Sequence, residues 1–307
     1  MSRNKITIIG AGMVGSTAAY GLIAANITEE IVLIDLNRKL AESQVMDLQH
    51  SVPFWGYTDL KAGDYEDIKD SALVVITCGA AQKPGETRLD LLKKNSAIIK
   101  EIMPKIFKQN PEAVVLMVTN PVDILTNIAI KMFPKKKKQI FGSGTILDTA
   151  RLRLLLGEKM SVDPKSVHAY IIGEHGDSEL PLWSTAMVGN SAIDNFYKLS
   201  SKNKKNIFNK AKNAAYAIIE GKQATYYAIA AGIVQISKAI LFDKKTVFTV
   251  SHPLNGEFGI KGVSLSLPAV IGRHGILRRV NMEISAEEKR LLQASASKLK
   301  MAEKDLK

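Results

Sequence analysis

Residues 5–15 read KITIIGAGMVG, a short apolar run followed by three glycines with the spacing GxGxxG, and this stretch decides the fold. The run Lys5–Ile9 predicts a buried strand that turns into a helix. Gly10, Gly12 and Gly15 permit a tight turn and the close approach of a pyrophosphate, which lies at the helix N-terminus. The stretch therefore predicts a dinucleotide-binding strand–turn–helix unit.

The same alternation of apolar runs and helical patterns continues as far as residue 144 and indicates parallel βαβ units. We therefore predict an α/β fold whose first domain, residues 1–144, is a doubly wound parallel sheet of the Rossmann type. The predicted strands are Lys5–Ile9, Ile31–Asp35, Leu73–Thr77, Ala113–Val118 and Gln139–Phe141, and the helices are Val14–Ala25, Lys39–His50, Leu89–Gln109 and Asp123–Phe133.

From residue 145 the regular alternation of strand and helix patterns ends. Residues 145–307 are therefore predicted to form a second, α+β domain that carries the substrate site. Two of its strands are expected to be antiparallel, because no crossover helix separates them. The last helix begins at Ser285, whose spacing from Glu288 is that of a capping box. The other predicted elements are a helix at Asp148–Glu158, a strand at Val167–Ile172, one long helical stretch at Lys202–Phe242, and the strand pair Thr246–Ser251 and Gly262–Ile271.

Composition excludes several classes of protein. No apolar run is long enough to span a membrane, and the N-terminus lacks the pattern of a secretory signal. The single cysteine, Cys78, cannot form an internal disulfide, which favours a cytoplasmic location. The net charge is +12, but the lysines are scattered without interleaved aromatic residues, so we expect no nucleic-acid partner. The histidine spacing and the absence of GxSxG favour neither a metal site nor a nucleophilic serine.

Asp35 ends the second predicted strand, 20 residues after Gly15. A carboxylate there accepts hydrogen bonds from the adenosine ribose and repels the additional phosphate of NADP, so Asp35 favours NAD. The alternative is that Asp35 only stabilises a turn.

Residues 79–88, GAAQKPGETR, follow the third predicted strand and so begin at the ligand-binding edge of the sheet. Gly79 and Gly85 can act as hinges of a lid that carries Gln82 and Arg88 toward a cleft and excludes water. An ordinary polar loop is the alternative.

His175 lies in the segment IGEHGD, at the junction of a predicted strand and a loop. A histidine that exchanges protons needs a carboxylate to hold its tautomer, and Asp148 is a candidate. Arg151 lies on the same helix face as Asp148, one turn later. From the residues alone, a surface ion pair between Asp148 and Arg151 is the alternative.

Taken together, GAGMVG, Asp35, GAAQKPGETR, VTNPVD (118–123), LDTAR (147–151) and GEHGDSELP (173–181) resemble the lactate/malate dehydrogenase family, in particular its bacterial L-lactate dehydrogenases. The motifs occur in order over nearly the whole chain. The resemblance implies that His175 donates and accepts the proton, Asp148 stabilises its imidazolium, Arg88 stabilises the reacting oxygen, and Arg151 binds the carboxylate of pyruvate or L-lactate.

It also implies further site residues. Gln82, Asn120 and Thr225 would lie at the substrate, and NAD would be bound by Gly10, Gly12, Met13, Val14, Gly15, Asp35, Tyr65, Gly79, Ala80, Val118, Asn120 and Ser143.

The same resemblance implies a homotetramer with an allosteric site for fructose 1,6-bisphosphate that contains Arg153 and His168. On a helix, Arg153 points about 200° away from Arg151, so the two arginines cannot serve one pocket. The alternative is an exposed arginine and a histidine that only supports the structure.

Three other functions stay open. A malate dehydrogenase would need a positive charge at Gln82 to pair with the second carboxylate of its substrate. Bulkier 2-oxo acids are possible substrates because pocket size discriminates weakly, by about 1–3 kcal/mol per methylene. The chain is also compatible with a nucleotide-binding sensor or structural protein, since fold does not fix function.

Overall fold

The computed structural model describes residues 4–80 and 85–306, apart from the side chain of Arg88. The helices of this part are α1 (Met13–Ala24), α2 (Arg38–Ser51), α3 (Arg88–Gln109), α4 (Val122–Met132), α5 (Ile146–Met160), α6 (Ile193–Phe196), α7 (Ser201–Lys222), α8 (Tyr227–Leu241) and α9 (Ala286–Lys304). Its strands are β1 (Lys5–Ile9), β2 (Glu30–Ile34), β3 (Asp59–Ala62), β4 (Leu73–Ile76), β5 (Val114–Met117), β6 (Ile140–Gly142), β7 (Val167–His168), β8 (Ile171–Ile172), β9 (Leu180–Pro181), β10 (Met187–Val188), β11 (Ser191–Ala192), β12 (Thr246–Asn255), β13 (Lys261–Gly272) and β14 (Gly275–Arg279).

The main sheet of the described part has nine strands, in the order β14-β13-β12-β6-β5-β4-β1-β2-β3. Strands β1 to β6 run parallel, and their order 3-2-1-4-5-6 is that of a doubly wound dinucleotide-binding fold. Alternate residues of these strands pack into two apolar clusters, one on each face of the sheet. The predicted fold class is confirmed.

The strand order reverses between β1 and β4, so a crevice opens at their carboxyl ends. Gly10 follows β1 at this point, and Gly79 lies just beyond β4. The topology thus brings the glycine turn and Gly79, the first residue of the predicted lid segment, to one edge of the sheet.

Two elements of the second half differ from the sequence prediction. The run Val167–Ile172 forms two separate strands, β7 and β8, because β7 pairs with β10 and β8 pairs with β9. The long helical stretch Lys202–Phe242 is broken into α7 and α8, because Gln223 adopts the left-handed conformation, with φ of 68°.

The antiparallel pair expected in the second half is present as β12 and β13. With β14 it extends the sheet of the first half, since Ser251 of β12 pairs with Gly142 of β6. A third apolar cluster lies beneath α5 and α7. None of the helices in residues 4–80 and 85–306 is long and apolar enough to cross a membrane.

The glycine turn gives a stability prediction. A Cβ on Gly15 would lie 1.9 Å from the backbone oxygen of Gly10, whereas a Cβ on Gly12 would meet no heavy atom within 4 Å. We expect Gly15→Ala to lower the free energy of unfolding by about 1–3 kcal/mol, the usual cost of overpacking. Gly12→Ala is the matched control and should unfold like the wild type. Urea unfolding of the three proteins measures this, and equal stability of the two variants would contradict the packing assignment.

Candidate active site

His175 and Asp148 are distant in sequence but in hydrogen-bond contact. Asp148 lies in the first turn of α5, and His175 follows β8. Nδ1 of His175 is 2.6 Å from Oδ2 of Asp148. The carboxylate therefore holds the imidazole with its proton on Nδ1 and leaves Nε2 available for a ligand.

The backbone on both sides of this pair is fixed to β13. Gly173, with φ of +92°, donates its N–H to the carbonyl of Ser266 and accepts the N–H of Ser266, at 2.9 Å each. The hydroxyl of Ser266 also accepts the N–H of Thr145, just before α5, at 3.1 Å. One residue of the main sheet thus aligns the loop of His175 with the helix of Asp148.

Arg151 completes a row of three charged groups. Its Nη1 donates to Oδ1 of Asp148 at 2.9 Å, and its side chain is only 13% exposed. The pair of Asp148 and Arg151 is therefore not a surface ion pair, because Asp148 is buried and also binds His175. A guanidinium held by one nitrogen keeps further N–H groups with which it can bind a carboxylate ligand.

The charges of this row stabilise the protonated imidazole. Burial lowers the pKa of His175, but the adjacent carboxylate of Asp148, with smaller contributions from Asp123 and Glu179, outweighs it and raises the pKa to about 9. Burial likewise raises the pKa of Asp148, but His175 and Arg151 hold it below its ordinary value. At neutral pH the site therefore contains an imidazolium, a carboxylate and a guanidinium.

Two buried acids of this site had no predicted role. Oδ2 of Asp123, in α4, accepts the backbone N–H of His175 at 2.7 Å, and burial raises the pKa of Asp123 to about 6. Glu179 follows His175 by four residues and is 7% exposed. Both acids occur in the quoted motifs, but sequence alone does not reveal their burial, which is the signal that identifies them.

Asp148, His175 and Glu179 also present ligand-type atoms within 4.8 Å of one another. The two oxygens of Asp148 already bind the imidazole and the guanidinium of Arg151. The guanidinium of Arg151 would repel a metal ion at this cluster. We therefore assign Asp148, His175 and Glu179 to proton transfer and anion binding.

A cleft of about 830 Å³ opens at the switch point of the sheet. Among the residues predicted to bind NAD, its lining includes Gly10, Gly12, Asp35, Tyr65, Gly79 and Ala80. Helix α1 begins here without a side-chain cap, so its first N–H groups can bind an anion. Asp35 is fixed beside the glycine turn, where its two oxygens accept the N–H groups of Ala11 and Asn37, each at 2.8 Å. These features fit the pyrophosphate and adenosine ribose of a dinucleotide.

The other six residues predicted to bind NAD are not among the described residues that line this cleft. Three of them, Met13, Val14 and Gly15, form the first turn of α1. The remaining three follow the carboxyl ends of β5 and β6: Val118, Asn120 and Ser143.

Four predicted substrate residues are not in the row of His175, Asp148 and Arg151. Asn120 follows the carboxyl end of β5. Gln82 lies outside the described residues. Arg88 is the first residue of α3, and its side chain is also outside the described part. Thr225 lies half-buried in the turn between α7 and α8.

Arg153 and Arg151 point in different directions, as expected from their spacing. The Nε of Arg153 donates to the carbonyl of Ala169 at 2.9 Å, and its guanidinium lies over the ring of Tyr170. His168 is exposed and directly precedes Ala169. The two residues predicted to bind an effector are thus brought to the same region, where α5 meets β7.

Comparison with known proteins gives a consistent result. Residues 4–142 match the model of the lactate/malate dehydrogenase NAD-binding domain, and residues 145–307 match that of the lactate/malate dehydrogenase α/β C-terminal domain. A curated L-lactate dehydrogenase from Thermoanaerobacter pseudethanolicus is 47% identical, with 99% of each chain covered.

Solved structures are similar over the same length. A lactate dehydrogenase from a Medee basin deep-sea metagenome library has a TM-score of 0.96 and 39% identity, covering 100% of this chain and 99% of its own. The minor L-lactate dehydrogenase of Enterococcus mundtii, in a ligand-bound form, has a TM-score of 0.96 and 37% identity with the same coverage.

The contact between Asp148 and His175 gives a direct prediction. We expect Asp148→Asn to lower the pKa of His175 from about 9 by at least one unit, because the strongest of the charges that oppose burial is lost and only Asp123 and Glu179 remain. The titration is followed by NMR of ¹³C-labelled histidine rings, with the resonances of the exposed His168 as an internal reference. A midpoint for His175 that stays near 9 in the variant would show that Asp148 does not hold the proton.

Proposed function

The chain belongs to the lactate/malate dehydrogenase family, and we propose that it is an NAD-dependent L-lactate dehydrogenase that interconverts pyruvate and L-lactate. The observation that carries the proposal is the row His175, Asp148 and Arg151, which joins a proton donor and a carboxylate-binding group through one buried acid. A pure nucleotide-binding module has no use for this arrangement.

His175 supplies the proton in this proposal. When bound, NADH supplies the hydride that reduces C2 of pyruvate, and NAD⁺ accepts it in the reverse direction. The protonated imidazole donates from Nε2 to the carbonyl oxygen, so that one hydride and one proton give L-lactate. Asp148 keeps the imidazole protonated beforehand and neutralises its charge. In lactate oxidation the neutral imidazole accepts the hydroxyl proton.

Arg151 binds the carboxylate of the substrate. Its guanidinium is pre-oriented by Asp148, and a planar fork binds a carboxylate through two parallel hydrogen bonds. From the family resemblance we assign Arg88 to the developing charge on the carbonyl oxygen, and Gln82, Asn120 and Thr225 to the rest of the substrate. Closure of residues 79–88 would exclude water and strengthen each of these interactions.

The cofactor cleft supports NAD rather than NADP as the cofactor. Asp35, fixed by two backbone N–H groups, presents a carboxylate where the ribose hydroxyls of NAD would donate to it. The same charge repels the phosphate of NADP. We assign the glycine turn to the binding of this cofactor, together with the other residues that the family resemblance implies: Met13, Val14, Tyr65, Gly79, Ala80, Val118, Asn120 and Ser143.

Regulation and assembly form the last part of the proposal. We assign Arg153 and His168 to fructose 1,6-bisphosphate at a subunit interface of a homotetramer in the cytoplasm. An effector that binds two facing subunits neutralises their cations and favours the assembled state. The supporting observation is that Arg153 contacts the residue next to His168, away from Arg151.

The proposed reaction is tested by oxidation of NADH with pyruvate, oxaloacetate and bulkier 2-oxo acids, in the wild type and in Gln82→Arg. We expect the wild type to prefer pyruvate, because neutral Gln82 leaves the second carboxylate of oxaloacetate unpaired. Gln82→Arg should shift the ratio of kcat/KM toward oxaloacetate by at least tenfold, since the new guanidinium pairs with that carboxylate.

Two variants control this experiment. Gln82→Asn keeps a neutral amide and should keep the wild-type preference, and His175→Gln should still bind NADH while kcat falls about 10²–10⁴-fold. Binding of NADH without turnover of any 2-oxo acid by the wild type would indicate a binding module. A wild type that prefers oxaloacetate would indicate a malate dehydrogenase.

Titration with fructose 1,6-bisphosphate at limiting pyruvate and low protein concentration tests the allosteric assignment. The effector should lower KM for pyruvate and increase the tetramer fraction in the wild type, and Arg153→Gln should abolish both effects because one phosphate ligand is lost. Lys159→Gln removes the same charge from the exposed face of α5 and should respond like the wild type. An effector without influence on wild-type KM or assembly would overturn the assignment.

A further inference from the structure

Glu179 is a buried acid beside the reacting histidine, and the mechanism above does not use it. One of its carboxyl oxygens lies within 4.8 Å of both the carboxylate of Asp148 and a ring nitrogen of His175. Its Oε1 is shielded from solvent and has no hydrogen-bond partner among the described residues. A buried ionised carboxylate without such partners is unfavourable, so this group requires an explanation.

Glu288 shows what a purely structural buried glutamate looks like in the same molecule. It has the same exposure as Glu179, 7%. Its Oε1 accepts the N–H of Ser184 at 3.0 Å, and its Oε2 accepts the N–H of Ser285 at 2.8 Å. These bonds outweigh burial and hold the pKa of Glu288 below its ordinary value. Oε1 of Glu179 has no such bond in the part of the chain that the structure describes, and charged groups surround this carboxyl instead.

The charged groups around Glu179 come from three elements. Asp148 of α5 opposes its ionisation, whereas three cations favour it: His175 of its own loop, Lys212 of α7 and, more weakly, Arg151 of α5. The ammonium of Lys212 donates to the backbone carbonyl of Asp177 at 2.6 Å. Asp123 of α4 accepts the backbone N–H of His175. Within the described residues, Asp148 is the only acid that both raises the pKa of Glu179 and binds the imidazole of His175.

We infer that Glu179 is a positioning residue: its buried carboxyl, beside Asp148 and His175, adds a negative charge on ionisation that keeps His175 protonated. The inference rests on the proposed function only in assigning proton transfer to His175. Glu179 is not in contact with the substrate in this scheme and acts through the imidazole.

The direction of the effect follows from the surroundings. Burial, together with the nearby charge of Asp148, raises the pKa of Glu179 to about 8, just below that of His175. Loss of the Glu179 proton therefore precedes loss of the His175 proton. Once ionised, Glu179 adds a second negative charge next to the imidazolium and makes its deprotonation harder. Pyruvate reduction, which needs the imidazolium, thereby extends to higher pH.

The test compares the wild type with Glu179→Gln, which keeps the shape of the side chain but cannot ionise. We expect the NMR titration midpoint of His175 to fall by about one pH unit. The ratio of kcat/KM for pyruvate at pH 9 to that at pH 7 should fall about fivefold, because the protonated fraction of His175 at pH 9 drops from about one half to about one tenth. Asp177→Asn removes a charge from the exposed part of the same loop and should leave both readouts unchanged. Glu179→Asp keeps an ionisable group and should recover part of the shift.

An unchanged His175 midpoint in Glu179→Gln would overturn the inference, and so would an equal shift in Asp177→Asn. If Glu179→Gln does not fold, the ¹³C resonance of the Glu179 carboxyl in the wild type decides: a midpoint near 8 supports the inference, and one near 4.5 overturns it. The NMR titrations need no substrate. A protein that does not reduce pyruvate would therefore contradict the proposed function without deciding the role of Glu179.

Discussion

The carboxylate of Asp148 binds two cations at once, the imidazolium of His175 through Oδ2 and the guanidinium of Arg151 through Oδ1. It is almost fully buried, so its charge is screened little by water and each attraction is strong. Removal of either cation leaves a buried charge that is only partly compensated. The side chain of Asp148 therefore sets the distance between the proton donor, His175, and the carboxylate-binding Arg151. Breaking either contact would cost a large amount of free energy.

The fold provides the rigid support for this row. Asp148 lies on a helix that begins directly after β6, and the loop of His175 is hydrogen-bonded to β13 through Gly173 and Ser266. Both attachments lead to the same nine-stranded sheet, whose other half contains the glycine turn and Asp35. A site for a dinucleotide and a site for a small carboxylic acid are thus held by one continuous set of hydrogen-bonded strands.

Much of the first half could be predicted from sequence, because its signals are local: apolar runs of strand length, glycines at fixed spacing and amphipathic helices. The errors in the second half arise where contacts between residues distant in sequence determine where an element begins and ends. The alternating run around Ala169 looks like one strand, but its two ends pair with different partners. The break at Gln223 depends on a left-handed backbone that a glutamine does not indicate. Strand β3 was missed because its sequence, DLKA, is only four residues long and half polar.

The site shows the same division. His175, Asp148 and Arg151 could be connected from residue type, helix spacing and family resemblance. Glu179 and Asp123 could not, because an acidic residue in a polar motif gives no indication that it is buried. The placement of Gln82 and of the Arg88 side chain depends on a segment that lies outside the described residues, so their roles rest on the resemblance.

The pH dependence of kcat/KM for pyruvate reduction by the wild-type enzyme tests most directly whether the buried carboxylate controls the proton. This parameter reports the ionisation of the form that captures pyruvate, the enzyme with NADH bound. Because the pKa of His175 is raised, its proton is retained at neutral pH and lost only as the pH approaches 9. The account predicts a plateau through neutral pH and a decline, tenfold per unit, that begins near pH 9. A decline that begins near pH 6.5, the ordinary value for imidazole, would contradict it.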